Sequence, residues 1–361
     1  MHLTKLILNN FRCYESLEQT FNATTTIIDG PNGSGKTALI EAIYWQSTGR
    51  SFRHHKNNDL IKKQQKQLTV YSEYLYSSIQ NHHKLGVSYS TQQKKIIKHN
   101  GELIHRQTDI AQKFPVVAID PNCFLWIDHA PAFRRSFLDW LVFHVEPGYL
   151  TQWKQTQKVQ QQLNQLLKQG KTEELILWQK RYVQLAERTE ALRLNVFKEI
   201  QDRFNTLIES FLPTINNLRL TYKKGWRDDL LENLINKQSY HLKQGYIDVG
   251  IHKADLLCLV DQQSAQVYLS RGQKKLIAII MYLIFIEIYE AKHRQPPLVC
   301  LDDIDSELDH RALQLLSQYL LKSPRQLFIT TVEANAIQPY FLESEVFHVK
   351  QDKLNNAMLT T

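Results

Sequence analysis

Apolar and polar residues alternate at the start of the chain, and residues 2–9 and 20–28 read as two strands flanking a turn over Asn9 to Leu17. The second run ends in a β-branched stretch, Thr24 to Ile28, that reads as a buried strand. The pattern then switches to helical spacing over Ala38 to Tyr44. Residues 68–79 and 84–90 return to strand alternation, and Ile96-Ile97 and Leu103-Ile104 flank Asn100-Gly101, a strong hairpin-turn signal. Pro115 to Ile119 is a further strand, closed by Asp120-Pro121.

From about Pro131 to Pro213 strand signals stop and Gln, Leu and Lys dominate. Tyr149 to Lys168 and Glu173 to Leu212 predict two long helices joined at Gln169 to Thr172. Leu163, Leu166 and Leu167 would face Leu175, Leu177 and Trp178 in an antiparallel hairpin. The Gln-rich face suits a solvated surface over a small core better than a partner site. Residues 214–249 are mixed. Strong patterns resume with a helix from about 270, a strand at 297–302, a helix from Arg311 and a strand over Leu327 to Thr331.

Composition narrows the class. The chain has 361 residues, 43% hydrophobic and 22% charged, as expected of a folded globular protein of about two domains. A net charge of +8 favours an anionic partner, nucleic acid or an acidic membrane surface. The longest apolar run, Leu276 to Ile286, is shorter than the ~20 residues that cross a bilayer, and no secretory leader is visible at Met1 to Asn10. Four widely spaced cysteines form no C-x-x-C pair, against a zinc ribbon or disulfide scaffold. The expected compartment is cytoplasmic.

Between the buried strand and the first helix stands Gly30-Pro31-Asn32-Gly33-Ser34-Gly35-Lys36-Thr37, which fits G-x-x-x-x-G-K-[ST] at every fixed position. Glycines let backbone N–H groups turn inward, and the new helix N-terminus adds positive potential. Lys36 would reach the β- and γ-phosphates, and Thr37 would offer its hydroxyl to Mg²⁺. The stretch predicts a nucleoside-triphosphate site.

Three later motifs extend it. Pro297 to Asp303 is an apolar strand ending in two acids. Asp302 would hold the Mg²⁺ shell, and Asp303 sits where a general base could polarise a water. Leu269-Ser270-Arg271-Gly272-Gln273 is similar to the L-S-G-G-Q signature of ABC-type ATPases, with Arg271 in place of one glycine. Ser306-Glu-Leu-Asp309 resembles the D-loop of that class. In that class the signature of one chain faces the phosphate loop of another, so Ser270, Gly272 and Gln273 would contact nucleotide in trans. Many members carry a switch histidine after the next strand; here Thr330 and Thr331 stand there as candidate γ-phosphate sensors. His252 and His54-His55 show no spacing that suits a metal.

Taken together, these stretches resemble the RecF family of bacterial recombination and gap-repair ATPases, related to the SMC class. The carriers are Asn10-Phe11-Arg12, Gly30 to Tyr44, Gly49 to Arg53, Pro131 to Asp139, Gly250 to Asp255, Leu269 to Gln273 and Leu301 to Asp309. The resemblance implies an α/β fold, an ABC-type ATPase core with mixed and antiparallel sheets, split by an inserted α-helical lobe: residues 1–128 and 250–361 as core, 129–249 as lobe. It further implies ATP and Mg²⁺ as cofactors and Arg12 as a nucleotide contact. Asp303 and Lys36 would be the catalytic residues, in a weak DNA-stimulated ATPase with slow hydrolysis. The implied partners are DNA (gapped duplex and single-stranded), a second copy of the chain in an ATP-dependent homodimer, the RecR and RecO proteins and, indirectly, recombinase, with no membrane. Departures are Asn122, where an acid is usual, Ile251, where Pro is usual, and Arg271.

Candidate DNA contacts are Arg50, Arg53 and Lys56, then Lys62, Lys63 and Lys66, then Lys94, Lys95 and Lys98. Two other readings share the nucleotide motifs. A transporter's nucleotide-binding subunit would carry a switch histidine and a permease-coupling domain. An SMC-related nuclease would carry an extra acidic metal cluster.

Overall fold

The computed structural model describes residues 1–53, 56–76, 81–92, 95–306, 308–352 and 356–360, with the side chains of 351–352 and 356–360 left aside. His54, His55, Lys94, Glu307 and the end of the 68–79 strand lie outside the described residues. The chain divides into two compact units, residues 1–123 with 289–361, and residues 124–288.

The first unit holds two six-stranded sheets. One is antiparallel, in the order Tyr14–Thr20, His2–Phe11, Gln67–Tyr76, Asn81–Ser90, Ile96–His99, Glu102–Ile104. The other runs Asn356–Thr360, Ser344–Asp352, Thr25–Asp29, Leu327–Thr330, Leu298–Leu301, Val116–Ile119, with only its first pair antiparallel. The short central parallel strands are buried along almost their whole length, which explains their unbroken apolar sequences. Between the sheets lies the helix Lys36–Thr48, buried on nearly every side, its few inward polar side chains each bonded within the protein. Its Gln46 amide donates to the Val70 and Leu85 carbonyls and accepts from Ser72 and Tyr74, so a buried polar group docks the helix on the antiparallel sheet.

The expected turn over Asn9 to Leu17 is much tighter. His2–Phe11 pairs with Tyr14–Thr20 down to Phe11 opposite Tyr14, and Tyr14 and Leu17 are both buried. The Asn100-Gly101 hairpin forms as read, with φ of 50° and 89°. The strand Ser344–Asp352, not expected from the sequence, lies parallel to Thr25–Asp29.

The second unit carries the helices Pro131–Val145, Tyr149–Gln169 and Leu175–Phe211. Leu163, Leu166, Leu167 and Leu175 close the expected hairpin, joined by Tyr182, Trp226 and Leu230 and flanked by Trp178. Leu177 faces solvent. The unit is not purely helical: Leu218–Lys223, Asp255–Val260 and Gln263–Ser264 form a three-stranded antiparallel sheet. That pairing also moves the expected boundary. Residues 250–288 group with the lobe rather than the core, since Asp255–Val260 is hydrogen-bonded to Leu218–Lys223. Up to Ile288, the helix Arg271–His293 belongs here as well, its Tyr282 and Phe285 against Phe137 and Trp140.

The family-specific stretches 131–139 and 250–255 meet in this unit. Arg134 forks onto Asp255 at 2.7 Å from both nitrogens, and Arg135 donates to the Ala254 carbonyl. Arg193, 2% exposed, forks onto Asp139 (2.8 and 3.0 Å) and donates to the Ile251 carbonyl. These motifs clasp the lobe to itself.

Candidate nucleotide site

The phosphate loop is built by geometry that only glycine allows. Gly30 and Gly35 have φ of 142° and 119°. A Cβ on Gly30 would fall 2.6 Å from the Val349 carbonyl oxygen, and one on Gly35 2.8 Å from Cys13 Sγ. The unanticipated strand Ser344–Asp352 and the Cys13-Tyr14 turn therefore wall the loop, and Tyr14 Oη donates to the Gly35 carbonyl.

Lys36 is 4% exposed, its ammonium donating to the Gly30 and Pro31 carbonyls at 2.8 and 3.2 Å. Ser34 Oγ is buried within the loop with no hydrogen-bond partner, an unsatisfied group that suits an anion's oxygens. Pro31, Asn32 and Gly33 are exposed at the loop's outer face.

The acids lie at the carboxyl end of Leu298–Leu301. Asp302 Oδ1 accepts from Thr37 Oγ1 (2.9 Å) and Thr330 Oγ1 (2.7 Å). Burial pushes the Asp302 carboxyl up to about 6, the neighbouring Asp303 and Asp120 carboxylates adding to the rise and the two threonine bonds opposing it. Asp303 has a left-handed φ of 46°, its N–H donates to Thr330 Oγ1, and its Oδ1 is buried without a partner. Thr331 Oγ1 donates to Asp305 Oδ2 at 2.6 Å. The donor set of one hydroxyl and one carboxylate fits a hard cation such as Mg²⁺, which commonly takes one or two protein oxygens and completes its shell with phosphates and water. Thr37 and Asp302 would hold it. Among the described residues no group of three or more His, Cys, Asp or Glu is placed to hold a metal ion.

Arg12 is engaged within the protein. Its Nε and one terminal nitrogen fork onto Glu41 at 2.8 and 2.7 Å, and the other donates to the Asp59 carbonyl. Two N–H bonds of its five are left for a nucleotide. Glu41, fully buried on the phosphate-loop helix, also accepts from Ser51. Sequence reading missed Glu41, though an acid in an otherwise apolar helix was the available signal. It also used Asp120 only to end a strand.

The signature lies in the second unit, at the start of Arg271–His293. The Ser270 N–H donates to Gln273 Oε1 (2.9 Å), and the Gln273 N–H to Ser270 Oγ (3.3 Å). This reciprocal capping box pins both side chains at the helix entrance. Ser270 and Gly272 are exposed, and the space where a Gly272 Cβ would stand is open. The Arg271 guanidinium rests 5.2 Å from the Phe124 ring centroid.

A family model described as the RecF/RecN/SMC N terminal domain matches residues 2–355. DNA replication and repair protein RecF of Psychromonas ingrahamii is 32% identical over 365 residues, covering 98% of this chain and 99% of that protein. The chain belongs to the RecF family. The RecF of Shewanella denitrificans is 30% identical over 359 residues with the same coverage. A structure of the recombination mediator protein RecF-ATP in the RecFOR pathway superposes with a TM-score of 0.84 at 26% identity, covering 100% of this chain and 98% of that one. The Smc head bound to the C-winged helix domain of ScpA superposes at 0.59 and 14% identity, with the same coverage, and shares the fold. The fold is thus the mixed α/β ABC-type ATPase head common to RecF and SMC proteins.

Departures from the RecF pattern have local readings. Ile251 supplies an N–H, which proline lacks, to Tyr182 Oη (3.3 Å). The Asn122 N–H donates to Asp120 Oδ2. Of the basic candidates, Arg50, Arg53, Lys56, Lys63, Lys66 and Lys98 are exposed. Lys62 pairs with Glu15 at 3.1 Å. Lys95 turns inward to the Gly49 carbonyl and Gln107 over the Trp45 ring, and burial lowers it to about 8.

Proposed function

We propose that this chain is an ATP-dependent DNA-binding protein of recombinational and gap repair, which dimerises on binding Mg²⁺ and ATP and reopens on slow hydrolysis. The observation that carries the reading is the Thr37–Asp302–Thr330 hydrogen-bonded line beside a glycine-shaped loop that holds the Lys36 ammonium and an unpartnered Ser34 hydroxyl. Bound Mg²⁺ would neutralise charge on the β- and γ-phosphates. Lys36 holds positive charge at the loop, and Asp303 accepts the proton of the water that attacks the γ-phosphorus, giving ADP and phosphate. Arg12, with Gly30 to Gly35, borders the nucleotide.

Ser270 and Gln273, pre-set by their mutual cap, serve the γ-phosphate of a second copy together with Gly272; Ser270 and Gly272 are exposed and Gln273 half-buried. ATP then joins two chains, and joining is its main effect. Exposed Arg50, Arg53, Lys56, Lys63, Lys66 and Lys98 provide phosphate contacts, so DNA affinity falls steeply with salt and shows little sequence preference. The partners in this reading are gapped and single-stranded DNA, RecR and RecO, and through them recombinase, in the cytoplasm.

Sedimentation and DNA binding with ATP, ADP or no nucleotide, on gapped and intact duplex, test the reading. A dimer and tighter gapped-DNA binding with ATP alone support it; the same sedimentation and affinity in all three states contradict it.

A further inference from the structure

Thr330 ends the strand Leu327–Thr330 with Thr331 just after it, and both are fully buried. A hydroxyl carries one proton and two lone pairs. Thr330 gives its proton to Asp302 Oδ1 at 2.7 Å and receives the Asp303 N–H at 2.9 Å. Thr331 commits its proton to Asp305 Oδ2, with the Glu333 carbonyl 3.1 Å away. A phosphate oxygen at neutral pH is an acceptor, so a group that senses it must donate. Neither threonine has a proton to spare, and the expected sensor role does not fit.

The same bonds suit another task. Asp303 sits in the left-handed region at φ 46°, which costs a non-glycine residue about 1 kcal/mol. Its N–H, anchored on Thr330, helps hold that conformation and so the direction of its carboxylate. Meanwhile Thr330 orients the carboxylate of Asp302. We propose that Thr330 is a positioning residue for ATP hydrolysis, its single hydroxyl tying the metal-holding Asp302 to the backbone of the base Asp303 so that the two acids are set as one unit. Thr331 fixes Asp305 in the following turn by the same means.

This proposal rests on the ATPase reading, and its test separates the two. Thr330→Val preserves shape and removes the hydroxyl; Thr330→Ser keeps the hydroxyl. A fluorescent ATP analogue is titrated in EDTA and in Mg²⁺, and phosphate release is followed alongside. For Thr330→Val, metal-free affinity stays within about twofold of the unmodified protein, whereas the gain in affinity on adding Mg²⁺ and the turnover number each fall at least ~10-fold, the usual scale for loss of a partner behind a metal ligand. Thr330→Ser restores both. A Val variant with unmodified Mg²⁺ dependence and turnover overturns the proposal. So does a Val variant that loses metal-free binding in proportion, or a Ser variant that fails alongside it. An unmodified protein that binds no ATP overturns the ATPase reading itself.

Discussion

Thr37 Oγ1 donates to Asp302 Oδ1 over 2.9 Å, joining residues 265 positions apart. Each hydroxyl oxygen keeps lone pairs after donating, so Thr37 can bond the carboxylate and a cation together. The bond brings the first and last parts of the chain to one site, and in the proposed reading it divides the work of the paired acids. Asp302 is turned to Thr37 and Thr330; Asp303 stands apart with a buried oxygen unpartnered. Asp302→Asn is therefore expected to weaken Mg²⁺–ATP binding at least ~10-fold. Asp303→Asn should leave binding intact, slow phosphate release by at least ~100-fold and accumulate the ATP dimer. Rapid hydrolysis by Asp303→Asn would remove it as the base.

The loop glycines are not equivalent. Gly35→Ala places a Cβ 2.8 Å from Cys13 Sγ at φ 119°, and should reduce ATP affinity at least ~10-fold in an equilibrium titration. Gly33→Ala, at φ 80° with open space around it, carries only the left-handed cost of ~1 kcal/mol and should stay within about fivefold. Equal losses in the two variants would contradict the packing described for Gly35.

How much of this was readable follows from the range of each interaction. Phosphate loop, acidic strand and signature are short, local patterns, and the sequence displays them directly, the signature with Arg271 in place of one glycine. The Asn100-Gly101 hairpin is legible for the same reason, because its positive φ angles demand those residues. The strand Ser344–Asp352 was not, although it packs Val349 against Gly30, since its apolar positions are few and its partner strand is far away in sequence. Nor could sequence separate Lys95 from the exposed Lys98, because only the fold reveals the Gly49 carbonyl waiting for it. Arg134 reads as a motif cation and Arg193 as one more charge on a long helix; their carboxylate partners lie 121 and 54 residues away.

That last pairing carries its own expectation. Arg193 is buried, and Asp139 supplies its balancing charge. Asp139→Asn leaves a buried guanidinium with its main counter-ion neutralised, and should destabilise the lobe by about 3 kcal/mol. Thermal unfolding followed by tryptophan fluorescence checks this, and a transition unchanged from the unmodified protein would contradict it.

His252 makes the lobe sensitive to acid. Its Nε2 lies 3.0 Å from the Ile247 carbonyl and its buried Nδ1 has no partner, so the ring fits as the neutral Nε2–H form. Burial, with Lys253 and Arg135 nearby, lowers it to about 4 from the ordinary 6.5, against the opposing Ile247 carbonyl and Asp248. Between those values the unfolded chain binds the extra proton. This contribution is therefore complete above pH ~6.5 and is lost as pH falls toward ~4, up to about 3 kcal/mol in all. Melting temperatures across that range should fall more steeply for the unmodified protein than for His252→Gln. Parallel profiles would refute the assignment.

Ser270 is expected to act on ATP held by another copy, and a mixing experiment tests this. Lys36→Met removes the loop's cation and Ser270→Arg blocks the signature, so each variant alone should fail to dimerise with ATP. In a mixture, the intact loop of the Ser270→Arg chain meets the intact Ser270 of the Lys36→Met chain, restoring one shared site. Sedimentation with ATP should then show a mixed dimer that neither variant forms alone. If the mixture stays monomeric, or if Ser270→Arg dimerises with ATP by itself, the shared site is contradicted.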